Sequence, residues 1–168
     1  MPHPSRRLDL FLVPADADNP PDRGRFEALQ RTLAERDVLD DAGAPGPHAE
    51  RLVDGGFAAL RFEEGEGRRL YANQQGGFRV RCPACGANLV PALHANWSDI
   101  TEDGGRELTC PECGGVSPVI DLQYEPPAAW GRWAVRVADA GSASLHAEAR
   151  RAVEDVLGPV RVVARRVA

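Results

Sequence analysis

Leu8-Asp9-Leu10-Phe11-Leu12-Val13 is the stretch on which the reading of the fold turns. It is an apolar run broken by one acid, much shorter than the roughly 20 residues of a membrane span. Such a run suits a buried strand. Pro14, Asp16 and Asp18 follow it, so it reads as a strand and not as the core of a signal peptide. Downstream, Pro20-Pro21-Asp22 marks a helix start, and Phe26, Leu29 and Leu33 recur at helical spacing. An amphipathic helix from Arg23 to about Arg36 is expected. Asp40 to Pro47 is rich in glycine and proline and reads as a loop.

The C-terminal end repeats this order. Trp133, Val135 and Val137 alternate as in a half-buried strand. Ser142 or Ser144 is then expected to cap a helix reaching about Leu157, with Leu145, Ala149, Ala152, Val153 and Val156 on one face. Gly158-Pro159 stops it, and Val160–Val167 is a last strand. In between, Phe57–Phe62, Arg68–Ala72 and Phe78–Arg81 read as a three-stranded meander. Its turns are Gly65-Glu66-Gly67 and Gln74-Gln75-Gly76-Gly77. Ile120, Leu122 and Tyr124 alternate as a further strand. With residues 64–125 set aside, the order is strand, helix, strand, twice over. The expectation is an α+β fold with ferredoxin-like strand-helix-strand halves. Residues 1–63 and 126–168 would form one α/β domain, and 64–125 would be an insertion.

That insertion holds all four cysteines, as Cys82-Pro83-Ala84-Cys85-Gly86 and Cys110-Pro111-Glu112-Cys113-Gly114. Two intervening residues let both thiolates of a pair reach one tetrahedral ion at about 2.3 Å. Proline after the first cysteine pre-sets the turn, and glycine after the second can take positive φ. Over about residues 79–116 the chain resembles the zinc-ribbon family, whose sites are built from two rubredoxin-type knuckles. The resemblance implies one structural zinc on Cys82, Cys85, Cys110 and Cys113, with iron as the alternative metal. Four cysteine ligands close the shell and leave no position for substrate. Arg79, Arg81 and Arg106 flank the pairs and are placed to offset the thiolate charge.

Every one of the 20 basic residues is arginine, a bias expected of a GC-rich bacterial genome. The absence of lysine excludes Schiff-base and P-loop lysine chemistry. With the cysteines assigned to metal, no cysteine nucleophile is left. No nucleophile elbow, dinucleotide-binding glycine motif or His-Glu-x-x-His motif occurs. His3, His48, His94 and His146 lack metal-ligand spacing to one another, and His94 is read as a loop residue. Glu63, Glu64 and Glu66 are expected on a turn as solvated acids. Trp130 and Trp133 are expected to pack inside, the alternative being an exposed patch.

Charge is uneven along the chain. Residues 82–125 hold one arginine against seven acids, whereas residues 126–168 hold seven arginines against four acids. An acidic ribbon suits a basic protein partner, so the expected function is a protein-interaction or adaptor module of a cytoplasmic protein. Nucleic-acid binding through Arg150, Arg151, Arg161, Arg165 and Arg166 is the alternative. It is disfavoured by Asp99, Glu102, Asp103, Glu107 and Glu112 on the ribbon and by the split of the arginines between helix and strand. An enzyme carrying the ribbon as a structural accessory is the third reading.

Overall fold

The computed structural model describes residues 8–73, 78–101 and 107–167. The expected turn at residues 74–77, His3, Arg106, Glu102 and Asp103 lie outside the described residues.

β1 (Leu8–Pro14) forms where the apolar run predicts it. α1 (Arg23–Glu35) begins at Asp22, whose side chain accepts a hydrogen bond from the Arg25 N–H at 3.0 Å. That bond satisfies one of the orphan donors of the first turn. Phe26, Leu29 and Leu33 form its buried face. β2 (Ala59–Tyr71) is one strand of 13 residues and not two strands joined at Gly65-Glu66-Gly67. Its partner β7 (Ala129–Ala140) pairs with it on both sides of those glycines, so the extra residues are taken up as a register irregularity between Glu64 and Arg69. A glycine pair inside a paired strand makes a bulge where the partner strand continues. Glu63, Glu64 and Glu66 therefore lie in a strand; Glu63 pairs with Arg136 at 3.3 Å and Glu64 with Arg23 at 3.7 Å.

α4 (Ala147–Leu157) starts at His146, later than a Ser142 or Ser144 cap would place it. The His146 N–H donates to the Leu52 carbonyl and its Nε2 lies 2.7 Å from Asp54, so tertiary contacts set the start of this helix. β8 (Val160–Arg166) ends the described fold.

The four long strands form one sheet in the order β2-β7-β1-β8, each pair antiparallel. α1 and α4 lie together on one face. Between helices and sheet is a core that includes Leu10, Leu12, Leu29, Leu33, Trp133, Val135, Val137, Val153 and Leu157. This is the ferredoxin-like order, in which the first strand of each half pairs at the centre. The fold class is α+β, as the alternation of elements predicts. Trp133 is fully buried in this core, in agreement with its expected packing role.

A second hydrophobic cluster lies under the cysteine-bearing segment. It comprises Val80, Cys82, Leu89, Leu93, Ile100, Leu108, Cys110, Val119, Leu122 and Trp130, with Ala17 contributed from the loop after β1. Trp130 sits at the start of β7, so this strand runs from the second cluster into the helix–sheet core, and Trp97 lies 5.5 Å from the Trp130 ring. Among the described residues no helix is long and apolar enough to cross a membrane.

Candidate metal centre

Each cysteine pair sits at the tip of a short hairpin. β3 (Arg79–Arg81) leads into the first pair, and the chain returns through an Arg81–Asn88 bridge. β4 (Glu107–Thr109) leads into the second pair and β5 (Val116–Pro118) returns from it. The two turns make the same hydrogen bonds. Cys82 N–H donates to Ala87 O at 2.9 Å, and Cys110 N–H donates to Gly115 O at 2.8 Å. Gly86 N–H donates to Cys82 O, and Gly114 N–H to Cys110 O, both at 2.9 Å. Gly86 has φ +75° and Gly114 has φ +71°, the left-handed conformation that closes each turn. A Cβ at either position would meet nothing within 4 Å, so the demand for glycine there is conformational and not steric.

The two hairpins bring all four sulfurs within 4.8 Å of one another. Cys82 Sγ lies 3.9 Å from Cys113 Sγ, and Cys85 Sγ lies 3.7 Å from Cys110 Sγ. A tetrahedron with metal–sulfur bonds of about 2.3 Å has edges of about 3.8 Å. A disulfide would need about 2.05 Å. The cluster can therefore hold a metal ion. Cys82 and Cys110 are buried, whereas Cys85 and Cys113 are exposed.

Backbone dipoles are aimed at the sulfurs. The Gly115 N–H donates to Cys113 Sγ at 3.4 Å. Backbone N–H groups of Cys85 and Ala84 hold the Cys82 thiol down to about 7. At Cys85 the Ala87 N–H acts in the same sense. Desolvation and the neighbouring Cys110, Cys113 and Cys82 thiols together outweigh it and push that thiol up to about 12. Four thiols this close cannot all ionise without a counter-charge, which a divalent cation supplies. Arg79 and Arg81 make no bond to the sulfurs. Arg79 is exposed and pairs through its backbone with Glu125 of β6 (Gln123–Glu125).

The segment between the pairs is not an open loop up to its described end. α2 (Val90–Ala95) and α3 (Trp97–Thr101) occupy it, and Leu93 and Ile100 seal the ribbon core from that side. His94 is exposed on α2. Instead of a continuous strand, the chain after β5 forms a 3-10 turn at Val119–Asp121 and then β6. Pro118 starts that turn, and buried Val119 and Leu122 pin it to the ribbon core. Tyr124 locks the junction with the sheet: its hydroxyl donates to Val119 O at 2.6 Å and accepts from Trp130 Nε1 at 2.7 Å. Sequence reasoning overlooked this bond. The aromatic residues were visible, but their meeting across the junction was not.

Among the described residues, these cysteines are the only group of three or more His, Cys, Asp or Glu side chains placed to hold a metal ion. Asp99, Glu107, Glu112, Asp121 and Glu125 are all exposed on the cysteine-bearing segment. No protein-family model, curated protein or solved structure matches the chain.

Proposed function

We propose that this chain is a zinc protein in which Cys82, Cys85, Cys110 and Cys113 bind one structural ion in a zinc ribbon. The ribbon would serve as a rigid protein-interaction or adaptor module. The observation that carries the reading is the convergence of four sulfurs, two from each of two matching turns, at tetrahedral spacing. All-thiolate tetrahedral sites suit zinc, and a closed four-sulfur shell is a structural arrangement, not a catalytic one. The exposed acids of the cysteine-bearing segment make the ribbon a negatively charged surface, suited to a basic partner.

Metal analysis of the purified protein tests the first step. About one equivalent of zinc per chain and little iron is the expected result. A red protein with a rubredoxin-like absorption spectrum would overturn the zinc assignment, and two disulfides in place of free thiols would overturn the metal site itself.

A further inference from the structure

The sheet face opposite the helices gathers arginines from strands far apart in the chain. Register and alternation put Arg61 of β2, Arg136 of β7 and Arg165 of β8 on that face, around Asp9 and Phe11 of β1. Beyond the bulge of β2, Arg69 joins them on the same side as Tyr71, whose ring packs 5.2 Å from Phe11.

Two of the four are accounted for by acids: Glu63 pairs with Arg136 at 3.3 Å, and both Arg136 and Arg165 meet Asp9. Asp9 is buried, and Nη2 of Arg136 and Nη2 of Arg165 approach its Oδ2 at 2.6 and 3.8 Å. The Arg165 guanidinium also lies over the Phe11 ring, 4.6 Å from its centroid. Arg69 lies against Gly65 and beside the Tyr71 phenol, and Arg61 and Arg69 have no carboxylate comparable to Asp9. Both are exposed, and neither forms an ion pair among the described residues. Arg61 stands directly opposite Arg136 in the ladder. Like charges opposed across a strand pair destabilise a sheet. Asp9 and Glu63, the latter on the same face two residues from Arg61, neutralise Arg136, while Arg61 itself makes no ion pair among the described residues.

We infer that this face docks an acidic segment of a partner protein. Arg61 and Arg69 receive its carboxylates, while Arg136 and Arg165 are held in place by Asp9. A guanidinium fork accepts a carboxylate through two parallel hydrogen bonds, which favours arginine for this role. A nucleic-acid strand would also be attracted, but the face suits it less. Two uncompensated cations fall short of the roughly six to ten phosphate contacts behind strong salt-dependent binding. The rings of Phe11 and Tyr71 are buried, which leaves no platform for base stacking. The inference goes beyond the basic partner proposed for the ribbon by adding an acidic one, and it rests on the protein-binding reading only for the class of partner. It places the contact on the sheet, not on the ribbon.

The test uses the full chain loaded with zinc and a fluorescently labelled peptide of glutamates as the probe, followed by anisotropy at low ionic strength. Saturable binding that weakens as salt is added is expected. The double variant Arg61→Glu/Arg69→Glu is expected to lose at least about tenfold in affinity with its circular dichroism and zinc content unchanged. Arg61→Lys/Arg69→Lys, which keeps charge but loses the fork, should fall in between. Absence of peptide binding by the wild type overturns the inference, as does unchanged binding by the charge-reversed variant. Tighter binding of an oligothymidylate of equal length overturns it in favour of nucleic acid. If the double reversal does not fold, Arg61→Gln alone carries the comparison. Metal content is read separately, so failure of the zinc assignment and failure of this docking face are distinguishable.

Discussion

At the scale of single residues, Asp9 shows how a polar group inside an apolar strand is tolerated. Its side chain is 3% exposed, and two guanidiniums and the Asp139 N–H, at 3.1 Å from Oδ1, replace the water it loses. Removing one partner of such a buried network leaves the others uncompensated. Asp9→Ala is therefore expected to lower stability by about 3 kcal/mol in urea titration. Replacing Asp9 and Arg136 together by apolar residues should cost less than the single change, because no unpaired charge then remains between them. Tyr124 makes the second residue-scale case. Burial, partly opposed by the Trp130 hydrogen bond and by Arg161, pushes its phenol up to about 12. Since the unfolded phenol ionises near 10, the unfolded state loses its proton first as pH rises. The stability this group contributes is complete below pH 10 and is lost as pH climbs from about 10 to about 12. Urea titrations across that window should show the decline, and Tyr124→Phe should make it shallower while lowering stability at neutral pH; Tyr71, whose phenol burial also raises, keeps part of the slope.

At the scale of elements, the hairpins that carry the cysteines are too short to stand alone. β3, β4, β5 and β6 have three residues each, and their shared core is one small cluster capped by α2 and α3. Three-residue strands bury little surface, so a metal bound at the cysteines would supply much of what orders them. α1 and α4, by contrast, pack on a four-stranded sheet with its own apolar core. Cys85→Ser is expected to abolish stoichiometric metal binding and to increase amide exchange across residues 79–116, leaving most of the helical circular dichroism in place. Complete loss of the helical signal would show that the metal holds the whole chain together. The bulge in β2 belongs to this scale as well. Gly65-Glu66-Gly67 has the composition of a turn, and it remains in a strand because β7 pairs on both sides of it. Propensity is local, while a ladder bond rewards the strand only after its partner has arrived.

At the scale of the molecule, two cores share the strand β7, which carries Trp130 in one and Trp133, Val135 and Val137 in the other. One core is held by area buried between helices and sheet. The other is an apolar cluster under four thiols, where metal binding would be in competition with protons. Acid should therefore act on the two cores in sequence. On lowering pH from neutral, zinc is expected to appear in solution, read with a chromogenic chelator, before the helical signal changes. Simultaneous loss of metal and helix would mean that the cores are not separable. Charge is segregated in the same way, with exposed acids on the cysteine-bearing segment and arginines gathered on the open sheet face.

The metal-binding turns could be read from the sequence because their interactions are nearly all local. The bonds that shape each knuckle span four or five residues, and Cys-Pro-x-Cys-Gly specifies both the turn and the left-handed glycine. The ferredoxin-like order was readable for a related reason: apolar periodicity distinguishes strands from helices, and few ways exist to arrange two strand-helix-strand units around one core. Helix starts were readable only where the cap is local, as at Asp22, and not at His146, where residues almost a hundred positions away decide it. The grouping of Arg61, Arg69, Arg136 and Arg165 was decided by tertiary structure alone. The C-terminal arginines look divided in the sequence, yet Arg161 and Arg165 share one strand face, and the residues that join Arg165 come from β2 and β7. Strand register sets which side chains meet, and a register shift of one residue would send each of them to the opposite face. That register is fixed by the packing of the whole sheet, which no local stretch of the chain encodes.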